Sequence, residues 1–144
     1  MTARIEALFL YPRTRAEAVP VAEAVALKGT GLDGDHDRHP SRQLTVISSE
    51  AWKVANAELG TDLPPQTRRA NVVVSGVSLA ETRGRRLRLG PVLLEINGET
   101  DPCQRMEEAY AGLRAALTPE WRGGVFGHIV EDGPLRVGDD VAFE

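Results

Sequence analysis

Nine short runs of β-type residues, each cut off by glycine, proline or a polar turn, leave this chain room for little but a mostly β fold. The runs fall at residues 5–10, 22–27, 43–47, 72–74, 86–89, 92–96, 125–130, 135–137 and 141–143. Gly90-Pro91 separates two of them closely enough for a hairpin, and Glu131-Asp132-Gly133-Pro134 predicts a second. Gly138-Asp139 reads as the turn that closes a last hairpin. Helical period is confined to two stretches. Residues 49–59 have serines before them and Gly60 after them, and residues 102–117 carry Met106, Ala109, Tyr110, Leu113, Ala116 and Leu117 at three- and four-residue spacing before Pro119. Many strands with two isolated helices predict a barrel decorated by helices. At 144 residues the chain fits one domain, residues 1–144. A domain of that size buries ~68% of its unfolded surface and needs no disulfide or structural metal.

Charge narrows the partners. A net charge of −4 argues against general nucleic-acid binding, yet arginines crowd into residues 67–71 and 83–88. Cationic patches on an acidic protein suggest a small anion as ligand. Solvated strand edges that carry arginine against aggregation are the competing explanation, strongest for Arg85 and Arg88. The single cysteine cannot form an internal disulfide, and no signal or long apolar segment is present. These features predict a soluble, cytoplasmic protein without a membrane partner.

That cysteine, Cys103, sits in Thr100-Asp101-Pro102-Cys103-Gln104-Arg105, where a β-type run meets a helical pattern. Asp101 reads as an N-cap, Pro102 as the first helical residue and Gln104 as the return partner of a capping box. Cys103 then falls in the first helical turn. Unpaired N–H groups and the Arg105 cation favour a thiolate there, against the opposing charges of Glu107 and Glu108. A buried cysteine acting as a small hydrophobe is the alternative.

Other motifs are weaker. Residues 29–34 match the glycine spacing of dinucleotide-binding folds, but no amphipathic helix follows, so a glycine-rich turn between strands fits better. Asp35, His36, Asp37 and His39 offer metal donors, although two histidines on a loop beside Arg38 fall short of a zinc site. A polar loop is the better reading, with Asp35 holding an arginine or a loop amide. The chain has no Gly-x-Ser-x-Gly elbow and no phosphate-binding loop, which removes support for hydrolase and kinase activities. A Cys103–His128 thiol–imidazole pair is conceivable, but His128 alternates with apolar neighbours as a strand histidine does.

The order of motifs resembles a known family. Gly34-Asp35-His36 comes first, then Leu63-Pro64-Pro65 leading to Arg68-Arg69-Ala70-Asn71 and Ser75-Gly76. Gly90, Pro102-Cys103, Arg122-Gly123-Gly124-Val125 and Val137-Gly138-Asp139 follow. This series is similar to the MOSC domain, the module named after the C-terminal region of molybdenum-cofactor sulfurase. The resemblance implies a mostly β, MOSC-type barrel with two or more peripheral helices. It also implies a site for the molybdenum cofactor, a pterin with a dithiolene and a phosphate. Cys103 matches the family cysteine, which implies a molybdenum ligand or a persulfide carrier. Arg69 and Asn71 match an Arg-x-Asn pattern implied to position the cofactor. Arg105, Arg122, Gly123, Gly124, Asp35 and His36 complete the implied cofactor-binding set. Ala70 stands where many small members have glutamate, and Asp101 adds a negative charge beside the thiol.

The resemblance leaves two activities open: reduction of N-hydroxylated compounds, or sulfur transfer from a Cys103 persulfide. Either needs a separate electron or sulfur donor, because one cysteine holds no iron–sulfur cluster and no sulfur-mobilising region is present. The alternative is a non-catalytic carrier of the cofactor or another phosphorylated anion. A thiol redox sensor lacks a resolving cysteine.

Overall fold

A computed structural model of the chain describes residues 3–144. Among the described residues there are eleven strands: β1 (Arg4–Leu10), β2 (Val19–Val21), β3 (Glu23–Leu27), β4 (Gly31–Leu32), β5 (Leu44–Ser48), β6 (Val72–Ser75), β7 (Arg86–Leu89), β8 (Val92–Glu99), β9 (Val125–Glu131), β10 (Gly133–Arg136) and β11 (Val141–Phe143). The helices are α1 (Ser49–Leu59), α2 (Gln104–Ala109) and α3 (Leu113–Leu117), with 3₁₀ turns at Pro65–Arg68 and Pro119–Trp121. All nine expected runs form strands. The two additional strands, β2 and β4, are three and two residues long and carry too little pattern to be read from sequence.

One mixed sheet of eight strands runs β11-β7-β8-β9-β5-β6-β1-β2, and a three-stranded sheet runs β10-β3-β4. Only β5 and β6 pair in parallel, joined through α1. The expected barrel is not closed by a continuous ladder. A single bridge between Arg4 and Asp140 ties β1 to the start of β11. Between the sheets, Ile5, Leu44, Val72, Leu87, Leu94 and Val125 are fully buried. Side chains of this kind each contribute roughly 1.5–3 kcal/mol on leaving water.

The Gly90-Pro91 hairpin forms as expected, with Leu89 opposite Val92. The expected hairpin at residues 131–134 does not form. β9 pairs with β8 and β5, whereas β10 crosses to the other sheet and pairs with β3. Asp132 is occupied elsewhere, its Oδ1 accepting from the Lys28 amide, so this segment is a corner between sheets. Gly138-Asp139 likewise joins strands of different sheets. Its turn docks on β1, where the Gly138 amide donates to Ile5 O and the Ile5 amide to Asp139 O.

α1 matches expectation, with the Ser48 hydroxyl accepting from the Ala51 amide and Gly60 left-handed at its end. The expected helix over residues 102–117 is instead two. Tyr110 is extended, Gly112 takes φ +91°, and the Gly112 amide donates to Glu107 Oε2. The break turns Met106 and the Leu113–Ala116–Leu117 set onto Trp52 and Ala55 of α1, leaving Ala109 and Tyr110 exposed. The helix start also differs. Cys103, not Asp101, is the N-cap residue of α2, and no side chain caps that end.

Candidate functional site

The polar loop after β4 folds back on Tyr11. Asp35 Oδ1 accepts from the Tyr11 amide at 2.8 Å, and Oδ2 accepts from Arg38 Nε at 2.6 Å. The expected structural role of Asp35, holding an amide and an arginine, is therefore what the geometry shows. His36 donates from both its backbone amide and Nδ1 to Tyr11 O, each at 2.8 Å. That carbonyl can only accept, which fixes the proton on Nδ1 and leaves Nε2 free. His39 turns to Ser41, and no cluster of three metal-ligating side chains exists among the described residues.

Tyr11 is itself a platform. Its ring is fully buried, its hydroxyl donates to Ala70 O at 3.2 Å, and burial pushes its pKa up to about 12. Arg69 lies over the ring, its Cζ 4.5 Å from the centroid, in a cation–π contact. Arg69 is left-handed, with φ +64°. The turn it makes sends Arg68 and Arg69 to different surroundings. Arg69 rests on the tyrosine, whereas Arg68 is driven inward to 8% exposure.

Arg68 is the least expected residue of the site. Its Nε donates to Gly123 O at 2.9 Å and its Nη2 to Thr100 O at 3.1 Å, and among the described residues it forms no ion pair with a carboxylate. Burial pulls its pKa down to about 10, against the pull of Cys103 and Asp101 in the opposite direction. It stays charged at neutral pH, so the fold carries a buried cation without a counter-charge bonded to it. Thr100 adds a second unmet demand. Its Oγ1 is the only buried side-chain polar atom without a partner among the described residues, a cost of about 1–3 kcal/mol. Gly123 lets two backbone segments meet closely here, since a Cβ would stand 2.6 Å from Thr100 O.

These residues share one cavity of about 330 Å³. Six arginines line it, Arg15, Arg38, Arg42, Arg68, Arg69 and Arg105, against one carboxylate, Asp101. Cys103 is exposed at its wall, not packed as a hydrophobe. Thr14, His36, Thr45, Thr100 and Gly123 complete the polar lining. Of the residues expected from sequence, the cavity thus gathers Cys103, Arg69, Arg105, Gly123 and His36, with Asp35 one bond behind. Asn71, Arg122 and Gly124 are not in its lining. Asn71 is fully buried, its Oδ1 accepting from the Thr45 amide and hydroxyl and its Nδ2 donating to Phe9 O. Arg122 joins Glu58 to Ala116 O, and Gly124 lets the chain pass Val46 O, which a Cβ would meet at 2.3 Å. His128 bonds to Asn97 and does not line the cavity with Cys103.

A model of the MOSC domain matches residues 33–142. The chain belongs to the MOSC family. Solved structures agree on the fold. The YuaD protein from Bacillus subtilis superimposes with a TM-score of 0.80 at 21% identity, covering 98% of this chain and 94% of that one. YiiM from Geobacillus stearothermophilus gives 0.78 at 14% identity, covering 99% and 75%. YiiM from Escherichia coli gives 0.73 at 16%, covering 98% and 69%. No curated protein sequence matches the chain. No helix of this MOSC chain, among the described residues, is long and apolar enough to cross a membrane.

Sequence reasoning did not single out Arg15, Arg42, Arg68 or Thr100 in this MOSC site. Arg68 stands in the Arg68-Arg69-Ala70-Asn71 motif, but nothing in an Arg-Arg pair says which member turns inward.

Proposed function

We propose that this MOSC protein binds the molybdenum cofactor in the arginine-lined cavity, with Cys103 ligating molybdenum or carrying sulfur as a persulfide. The observation that carries the reading is that one cavity holds the single cysteine and six arginines. The donor set fits the two ends of such a molecule. A soft thiolate suits molybdenum, and guanidinium forks with backbone amides suit a phosphate. The unpaired Thr100 hydroxyl and the bare Gly123 backbone fit a polar ligand rather than an apolar one. What the bound cofactor supplies is a metal that changes oxidation state by two electrons and gives or takes an oxygen or sulfur atom.

The chain's own residues bind and orient. Arg69 and Arg105 hold anionic groups at the wall, Tyr11 keeps Arg69 in place, and Asp35 keeps Arg38 in place. His36 presents its Nε2 edge, and Cys103 offers its sulfur from the exposed rim. In this reading the eight-stranded sheet is the wall of an incompletely closed barrel, and the protein works in the cytoplasm with a separate electron or sulfur donor. Asn71, Arg122 and Gly124 support the cavity from behind it.

Molybdenum and pterin content per chain, measured for wild type and Cys103→Ser purified from a host that makes the cofactor, tests this. Stoichiometric metal that disappears in the variant supports ligation and leads to assays with N-hydroxylated substrates. Metal retained by the variant favours the non-catalytic carrier. Absence of metal and pterin from both sinks cofactor binding and leaves the persulfide alone to be sought by mass spectrometry.

A further inference from the structure

The buried guanidinium and the orphan hydroxyl are parts of one arrangement. Arg68 is bonded to the carbonyl of Thr100, and the same threonine carries the unpartnered Oγ1. A guanidinium has five N–H donors. Nε–H and one N–H of Nη2 are engaged by carbonyls, which leaves three without a bonded carboxylate. A buried cation and an unpartnered hydroxyl on two residues of one cavity call for an anion with several oxygens on one centre. Cys103 is three residues beyond Thr100, lines the same cavity and is exposed.

We propose that Arg68 and Thr100 bind the oxyanion end of a small sulfane-sulfur donor, thiosulfate or an organic thiosulfonate, from which Cys103 takes the outer sulfur. The proposal rests on the persulfide half of the function above. The Cys103 thiolate attacks the outer sulfur, a new sulfur–sulfur bond forms, and the donor's own sulfur–sulfur bond breaks. Its electron pair leaves on sulfite, or on a sulfinate when the donor is an organic thiosulfonate. No proton, oxidant or reductant is consumed, and the charge is the same on both sides. Arg68 neutralises the sulfite as it departs. The chain has one cysteine, so the persulfide is not lost to an internal disulfide and remains for an outside acceptor. A phosphate ester has the same shape as this ligand. The two ligands are told apart by whether the bound anion gives up a sulfur atom to Cys103.

The test uses the purified protein with thiosulfate, reading sulfite released per chain, the gain of one sulfur atom on Cys103 by mass spectrometry, and thermal stabilisation by thiosulfate and by inorganic phosphate. Wild type is expected to release one sulfite per chain. Cys103→Ser is expected to release none while still being stabilised by thiosulfate. Arg68→Met should slow release about tenfold or more at low thiosulfate, as loss of a charged hydrogen bond predicts. Thr100→Val covers the case in which Arg68→Met fails to fold. It removes the orphan hydroxyl, so it should fold at least as well as wild type yet bind thiosulfate roughly threefold more weakly. Equal rates in wild type and both variants overturn the proposal. So does saturating stabilisation by phosphate or thiosulfate with no sulfite from wild type, which would assign the subsite to a phosphate ester. Molybdenum content is read separately, so a protein that holds metal but releases no sulfite refutes the donor subsite and leaves cofactor binding intact.

Discussion

On the face formed by β7, β8 and β11, Arg86 is bonded to Glu95 and Arg88 to both Glu131 and Glu144, whereas of the six arginines around the cavity only Arg38 has a carboxylate partner among the described residues. The two cationic stretches look alike in sequence. In the fold, Arg86 and Arg88 of one are paired with carboxylates, and Arg68 and Arg69 of the other converge on an opening. Pairing across strands is what a solvated sheet needs to stay ordered and monomeric. Convergence without pairing raises the energy of the empty protein and is recovered when an anion binds. The free energy withheld from the fold at the cavity is therefore available to a ligand.

Five substitutions at four positions test that contrast. The largest effect is expected at the platform under Arg69. Tyr11→Leu should cost ~2–4 kcal/mol of stability and loosen anion binding together, because it removes a fully buried ring and its cation–π partner, as denaturant melts with and without sulfate would show. Tyr11→Phe should cost only ~1 kcal/mol, the net worth of the hydroxyl's bond to Ala70 O. Stability equally reduced in both variants would mean that the hydroxyl, not the ring, organises the site. Next is Arg68→Met, expected to weaken anion-induced stabilisation by about tenfold in affinity, or about 1.4 kcal/mol. If the shift with sulfate survives this change, the contrast is lost.

A smaller, pH-dependent effect is expected at Glu99, whose pKa is raised first by burial and then by the neighbouring Asp101. The ionised carboxylate is the penalised form. Glu99 thus favours the fold while protonated, and that contribution fades as the pH rises through its folded-state value. Glu99→Gln should melt higher than wild type at pH 7 and no higher well below about pH 4, the ordinary carboxyl value. A gain that persists in acid would point to packing instead of charge. The least effect is expected from Arg88→Met on the paired face, where exposed ion pairs contribute little and melting temperature and sulfate response should both stay at wild-type values.

Much of the fold was legible because it rests on local signals. Serine before and glycine after residues 49–59, and the glycine–proline turn at residues 90–91, act within a few positions of themselves, and both performed as expected. What failed depended on distant partners. The Glu131–Pro134 turn has hairpin residues, but Asp132 is drawn to the Lys28 amide and β10 to β3, contacts that no local pattern carries. The long helix failed at Gly112, a residue that a good apolar stripe hides. Within the site, Cys103 and Arg69 were readable from motif order, and Asn71 was readable as a residue that matters. Its bonds to Thr45 and Phe9, however, make it a strut between strands. Arg68 and Thr100 were not readable, since burial without a partner is a property of the assembled cavity.

One of the two carbonyls that hold Arg68 belongs to Gly123, 55 positions later in the chain. During synthesis at ~5–20 residues per second, about 3 to 11 seconds separate the emergence of the arginine from that of its anchor. Throughout that interval the nascent chain displays a loose basic segment with no cavity to gather it. Loading with any ligand must therefore follow near-completion of translation, and a ribosome stalled before β9 would hold a chain unable to recruit one.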